Sequence, residues 1–97
     1  DALARYALGR LFNELPGMLG GSRSRAEDEL RAALEADPRL TIARLELARV
    51  LAATGRLPEA RCQLDTLLAE TEPGHPAEYF RHDRPAALEL RARLESR

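Results

Sequence analysis

The sequence predicts an all-α fold of two antiparallel helix pairs and a C-terminal capping helix, forming one domain over residues 1–97. Three observations predict it. Apolar residues recur at helical spacing in five separate stretches, which marks helices with one buried face. Proline, glycine or N-cap residues separate those stretches. No stretch alternates apolar and polar residues as a half-buried strand would.

The first helix runs over residues 2–15, and its expected core face is Ala4, Ala7, Leu8, Leu11, Phe12 and Leu15. Pro16 and Gly17 stop it. Ser22 or Ser24 starts the second helix, Ser24 standing at capping-box distance from Glu27. That helix presents Ala26, Leu30, Ala33 and Leu34 and ends at Asp37–Pro38. The third runs from about Thr41 to Thr54 with Ala43, Leu47, Val50 and Leu51 on its face, closed by Gly55 as a C-cap. The fourth, from about Pro58 to Glu70, presents Ala60, Leu64, Leu67 and Leu68. After a break at Pro73, Gly74 and Pro76, a fifth helix begins at Asp83, an N-cap residue followed by Pro85 in the first turn. It carries Ala87, Leu90 and Leu94.

The stretches repeat. Ala26-x3-Leu30-x2-Ala33 recurs 34 residues later as Ala60-x3-Leu64-x2-Leu67, and Leu8-Gly9-x2-Phe12 recurs as Leu47-Ala48-x2-Leu51. Small residues at Gly9, Ala26, Ala48 and Ala60 allow antiparallel helices to approach closely. Larger ones such as Phe12, Leu30, Leu51 and Leu64 fill the remaining space. From Gly9 to Ala26 is 17 residues and from Ala48 to Ala60 is 12. The first inter-helix turn therefore carries five extra residues, within "LPGMLGGSRS" at 15–24.

This pattern resembles the tetratricopeptide repeat, with repeat 1 over about 2–38, repeat 2 over about 41–73 and the capping helix over about 83–96. The first-helix tryptophan of that pattern is replaced by Arg5 and Arg44. The order "LP…GGS…A…L..AL..DP…T.AR..LA..L...GR..EAR..L", with the late "EYFRHDRPAALELRARL", is similar to the T-component (TatT-like) family of TRAP transporters. It is similar also to the regulator-of-microtubule-dynamics group. The resemblance implies a non-catalytic bacterial protein-interaction component in the periplasm, accompanying the substrate-binding protein of an organic-acid uptake system. The alternatives are a cytoplasmic tetratricopeptide adaptor or assembly scaffold, and a helical small-ligand binder using a pocket under the loop, which a buried, polar-lined cavity near Arg10 would favour.

Composition narrows the function classes. Charged residues are 32% and hydrophobic ones 44%, as in a soluble globular chain. The 15 basic residues, all arginine, are interspersed among 16 acidic ones, which gives no electrostatic footprint for nucleic acid. The absence of lysine suits a high-GC, bacterial genome. No apolar run approaches the roughly 18 residues of a membrane span. The glycines of the enlarged turn lack the lysine and preceding strand of a phosphate loop. Met18 and Leu19 are expected to fold back over the first helix pair as a lid; the other reading is a contact loop for a partner or a neighbouring subunit.

No enzyme, metal or cofactor is expected. His75, Glu78, His82 and Asp83 lack the tight ligand pairs of a metal site and read as a solvated connector, with Asp83 capping the last helix and Tyr79 and Phe80 packing inward. Cys62 lies off its helix's apolar stripe with no histidine beside it in sequence, and reads as an inert, partly exposed thiol. Glu27 with Arg31, and Glu46 with Arg49, read as helix-surface pairs of about 0.3 kcal/mol.

Repeat alignment places Leu3, Tyr6, Arg10 and Asn13 from the first helix, and Ile42, Leu45, Arg49 and Ala52 from the third, on a concave surface. Of these Tyr6, Arg10, Asn13, Leu45 and Arg49 are the candidate contacts for a protein or peptide segment bearing an acidic group. Two and a half repeats are few for a stable array, which usually needs about three. Further repeats, a homo-oligomer or a very shallow groove would account for the difference.

Overall fold

In the computed structural model, which describes residues 1–96, the stops at Pro16–Gly17, Asp37–Pro38 and Gly55 fall where helices end. The helices are α1 (Ala2–Glu14), α2 (Arg23–Ala36), α3 (Thr41–Ala53), α4 (Leu57–Leu68) and α5 (Arg84–Glu95), with no strand among the described residues. A helical turn at Pro76–Glu78 and a π-helical turn at Tyr79–Asp83 run into α5 without a break. None of these helices is long and apolar enough to cross a membrane.

Caps explain the boundaries. Ser22, not Ser24, is the N-cap of α2, its Oγ accepting from Arg25 N at 3.2 Å, and Glu27 is released for ion pairs. Gly55 follows α3 with φ of +80°, the left-handed geometry glycine adopts without strain. Asp83 does not cap α5. Its backbone is helical and its carboxylate turns into the core, where it accepts from Thr41 Oγ1 at 2.7 Å. The π turn carries the helix past Asp83, so no end is left there to cap.

The first pair is antiparallel. Partners run from Arg5–Glu29 through Gly9–Leu30 to the Ser22 N–H donating to the Phe12 carbonyl. A Cβ on Gly9 would lie 2.7 Å from Leu30 Cγ, which is why this position is small. The second pair repeats the arrangement. Arg44 of α3 donates to Gln63 of α4 at 2.8 Å, as Arg5 of α1 donates to Glu29 of α2 at 3.0 Å. Glu29 and Gln63 are 34 residues apart and Arg5 and Arg44 are 39 apart, so the same link recurs with the five-residue offset of the enlarged turn. Bonds also cross between pairs: Arg56 donates to Glu27 at 2.6 Å, joining the start of α4 to α2, and Asn13 of α1 donates to Glu46 of α3 at 2.9 Å. The shortest dimension of the molecule is 20 Å, about two helix diameters, so the helices lie in two layers.

α3 is the centre. Leu45, Leu47, Ala48, Val50, Leu51 and Ala52 are all buried, and Glu46 with them. A helix apolar nearly all round is one enclosed by its neighbours. α2, α4 and α5 bury the faces their periodicity predicts: Ala26, Leu30 and Ala33; Ala60, Leu64 and Leu67; Ala87 and Leu94. Tyr79 also packs inward and its hydroxyl donates to the Leu67 carbonyl at 2.9 Å; Phe80, expected beside it, is exposed.

α1 breaks the expectation. Gly9 alone is buried, with Ala2, Tyr6, Phe12 and Asn13 half-buried on the same side. The expected core face of Ala4, Ala7, Leu8 and Leu11 is exposed, and Leu15 is half-buried. The close approach to α2 demands the glycine side of α1, and the leucine side turns outward.

Candidate functional site

The enlarged turn is built by its own backbone. After Pro16, residues Gly17–Leu19 make one turn of 3₁₀ helix, Gly21 N–H donates to the Pro16 carbonyl at 3.0 Å, and Gly20 takes φ of +96°. A Cβ at Gly21 would overlap the Leu15 carbonyl, so the chain needs glycine there to close the loop. Closure leaves Met18 91% and Leu19 65% exposed. They do not cover the first helix pair as a lid; they stand out from it, next to the exposed Leu8 and Leu11 side of α1 in sequence.

The candidate concave contacts fall into different environments. Arg10 is exposed, with Nε on Glu14 at 2.6 Å and NH1 on the Tyr6 hydroxyl at 3.4 Å. Both groups push its pKa still further above the ordinary guanidinium value, so it stays charged. Tyr6 is half-buried against the core. Asn13 and Arg49 converge on one carboxylate: Asn13 Nδ2 donates to Glu46 Oε2 at 2.9 Å and Arg49 NH1 to Oε1 at 3.3 Å. Leu45 is wholly buried and Ala52 nearly so; neither faces a groove, because the π turn and α5 also pack on α3. Both arginines thus hold carboxylates already, and the surface between α1 and α3 is a neutralised network.

Glu46 is another residue that sequence reasoning placed wrongly. It reads as the surface half of an i,i+3 pair, yet it is 5% exposed and links α1 to α3 through Asn13. Its setting between Leu45 and Leu47, in the most apolar helix of the chain, was the available signal.

At the other end of the same two helices lies a half-open pocket of about 150 Å³. Leu3 of α1 and Leu40 and Ile42 at the start of α3 form its apolar wall. His75, Glu78, His82 and Asp83 come in from the connector, together with Thr41. The four connector residues are therefore brought to one cavity and are not simply solvated. His82 Nδ1 lies 2.8 Å from Asp83 Oδ1. Among the described residues no group of three or more His, Cys, Asp or Glu is placed to hold a metal ion. Cys62 is exposed on α4 and does not line this cavity.

Compared with known protein families, curated proteins and solved structures, the chain matches none. Function must then be read from the surface itself. It offers an uncovered apolar side of α1, two protruding apolar residues in the turn, and, among its pockets, a largely apolar one beside the π turn.

Proposed function

We propose that this chain is a non-catalytic protein-interaction module of the tetratricopeptide type, acting as a TatT-like periplasmic component of TRAP-type solute uptake. The observation that carries the reading is the unfilled apolar side of α1. Leu3, Leu8 and Leu11 are 52%, 42% and 49% exposed, and the turn adds Met18 and Leu19. Large apolar side chains left exposed together on one helix support an interaction role. The recurring Arg5–Glu29 and Arg44–Gln63 links support the repeat, and the repeat supports the module. The two arginines thought to greet an acidic segment are held by Glu14 and Glu46, so docking rests on apolar contact rather than on an arginine clamp.

The test is direct binding between this chain and the substrate-binding protein of a TRAP system, measured by titration calorimetry. Leu11→Glu weakens binding at least about tenfold, the effect of losing one buried anchor worth about 1.4 kcal/mol. Arg61→Glu, on the exposed side of α4, leaves it unchanged. Equal behaviour of the two variants, or no binding by the parent chain, overturns the reading.

A further inference from the structure

We infer that the enlarged turn is a membrane-surface contact, which seats Met18 and Leu19 among the lipids of an anionic bilayer while Arg23 and Arg25 stay with the headgroups. The inference goes beyond the interaction-module reading. It gives the turn a partner of its own and leaves Leu3, Leu8 and Leu11 of α1 to the docked protein.

Met18 and Leu19 are the two most exposed large apolar side chains among the described residues. They are adjacent, on a turn whose backbone is fixed by its own hydrogen bonds. A Cβ on Gly17 or Gly20 would meet nothing within 4 Å, so open space borders the pair on both sides. The two side chains therefore project from a convex tip.

Charge around the tip is of one sign. No acidic residue lies between Glu14 and Glu27. Glu14 is held by Arg10 at 2.6 Å, and Glu27 by Arg56 at 2.6 Å and Arg31 at 2.9 Å. Arg23 and Arg25 are exposed, and among the described residues neither reaches a carboxylate at ion-pair distance. Both border the turn. Arg23 lines an open depression together with Gly17 and Gly21. Arg25 holds its guanidinium 5.5 Å from the centre of the Phe12 ring, which lines the same depression.

An exposed apolar pair with cations at its base calls for a partner that is anionic at its surface and apolar beneath. An anionic bilayer presents both, in that order of depth, and long arginine stems let the charged heads stay at the surface. The shape of the tip favours lipid over an acidic protein segment. Fluid lipid closes around two projecting side chains without a matching socket, whereas a protein must supply one. The contact lies on the membrane, since no helix of the chain is long and apolar enough to cross it. Two side chains and two arginines make a small anchor. Its association constant should not exceed that of a single myristoyl chain, about 10⁴ M⁻¹, so the contact is reversible and orients the chain rather than holding it.

The test is co-sedimentation of the chain with vesicles of phosphatidylcholine alone and of an equal mixture with phosphatidylglycerol. Binding to the mixed vesicles is expected, about tenfold or more above binding to phosphatidylcholine, each arginine at the surface supplying about fivefold. Met18→Asp weakens it at least about tenfold, because an apolar side chain is replaced by a charge. Arg23→Gln together with Arg25→Gln removes the preference for the mixed vesicles. Arg81→Gln makes the same kind of charge change on the exposed π turn, and Leu3→Glu alters the far end of α1; both leave binding unchanged. All of these positions are exposed, so circular dichroism should match the parent. No binding to the mixed vesicles, equal binding to the two kinds, or indifference to Met18→Asp overturns the lipid contact. Saturable amide shifts at Met18 and Leu19 with polyglutamate, in a chain that ignores vesicles, assign the tip to an acidic protein and overturn it too. Binding of the TRAP substrate-binding protein is a separate measurement, so either reading stands when the other falls.

Discussion

α1 and α3 carry the same local pattern and meet different fates. Leu8-Gly9-x2-Phe12 and Leu47-Ala48-x2-Leu51 are equivalent by sequence. In α3 the leading leucine is wholly buried; in α1 it is 42% exposed. The small residue is buried in both helices. What differs is the number of neighbours. α3 has α1 and α2 on one side and α4, α5 and the π turn on the other, whereas α1 rests on α2 with a lighter contact to α3. An apolar stripe therefore reports that a helix could bury a face, and only its neighbours decide whether it does.

The sharpest test of that difference is a pair of truncations. Leu47→Ala in α3 is expected to destabilise by about 2–5 kcal/mol, since it opens a cavity in an enclosed site. Leu8→Ala in α1 should fall within about 0.5 kcal/mol, the range of ordinary surface changes. Urea unfolding of both variants checks it, and comparable losses would mean that α1 is covered in solution, most simply by a second copy of the chain.

Next in size is the bond between the two helices. Asn13→Ala leaves Glu46 with Arg49 alone, and a buried acceptor that loses a partner costs about 1–3 kcal/mol. Hydrogen exchange should show α1 amides opening more readily while those of α3 keep their protection; uniform loss would contradict the lighter anchoring of α1.

Gly9→Ala comes third. The new methyl would stand 2.7 Å from Leu30 Cγ and 3.2 Å from the Ala26 carbonyl. Overpacking of about 1–3 kcal/mol outweighs a helix-propensity gain of about 1 kcal/mol. A net loss in thermal unfolding is expected, and a net gain would show that α1 shifts freely on α2.

The smallest effect is that of acid. Glu27 ties α2 to α4 through Arg56 and to its own helix through Arg31. The Arg56 guanidinium, with Arg31, holds its carboxyl below the ordinary carboxylate value. A depressed folded pKa contributes stability that is present above the unfolded value near 4.5 and is lost as pH falls through the folded one. Glu27→Gln should flatten stability against pH in that acidic window, by less than about 1 kcal/mol. At the other extreme, burial pushes the Tyr79 hydroxyl above its ordinary value, so folding weakens as pH rises past 10. Tyr79→Phe removes that alkaline step in a spectroscopic titration.

Much of the fold was legible in residues that act within one turn. Asp37–Pro38, Gly55 and Pro16–Gly17 end helices because of what their own backbones allow or forbid. The 34-residue repeat and its five-residue excess were legible too, and the matched Arg–Glu and Arg–Gln links follow the same offsets. The site was less legible. Asn13 and Arg49 meet on Glu46 between α1 and α3, but Leu45 is core, and the cavity takes residues from a connector that looks solvated when read alone.

The sequence by itself determined where most helices stop, which residues are small at the crossings, and that the first turn is longer than the second by five residues. These are short-range matters of backbone freedom and side-chain size. The tertiary structure alone decided which side of α1 faces inward, that Glu46 and Asp83 lie buried with their partners, and that His82 and Glu78 meet Leu3 across a cavity. Those outcomes depend on groups more than thirty residues apart in the chain, whose approach is set by how whole helices pack.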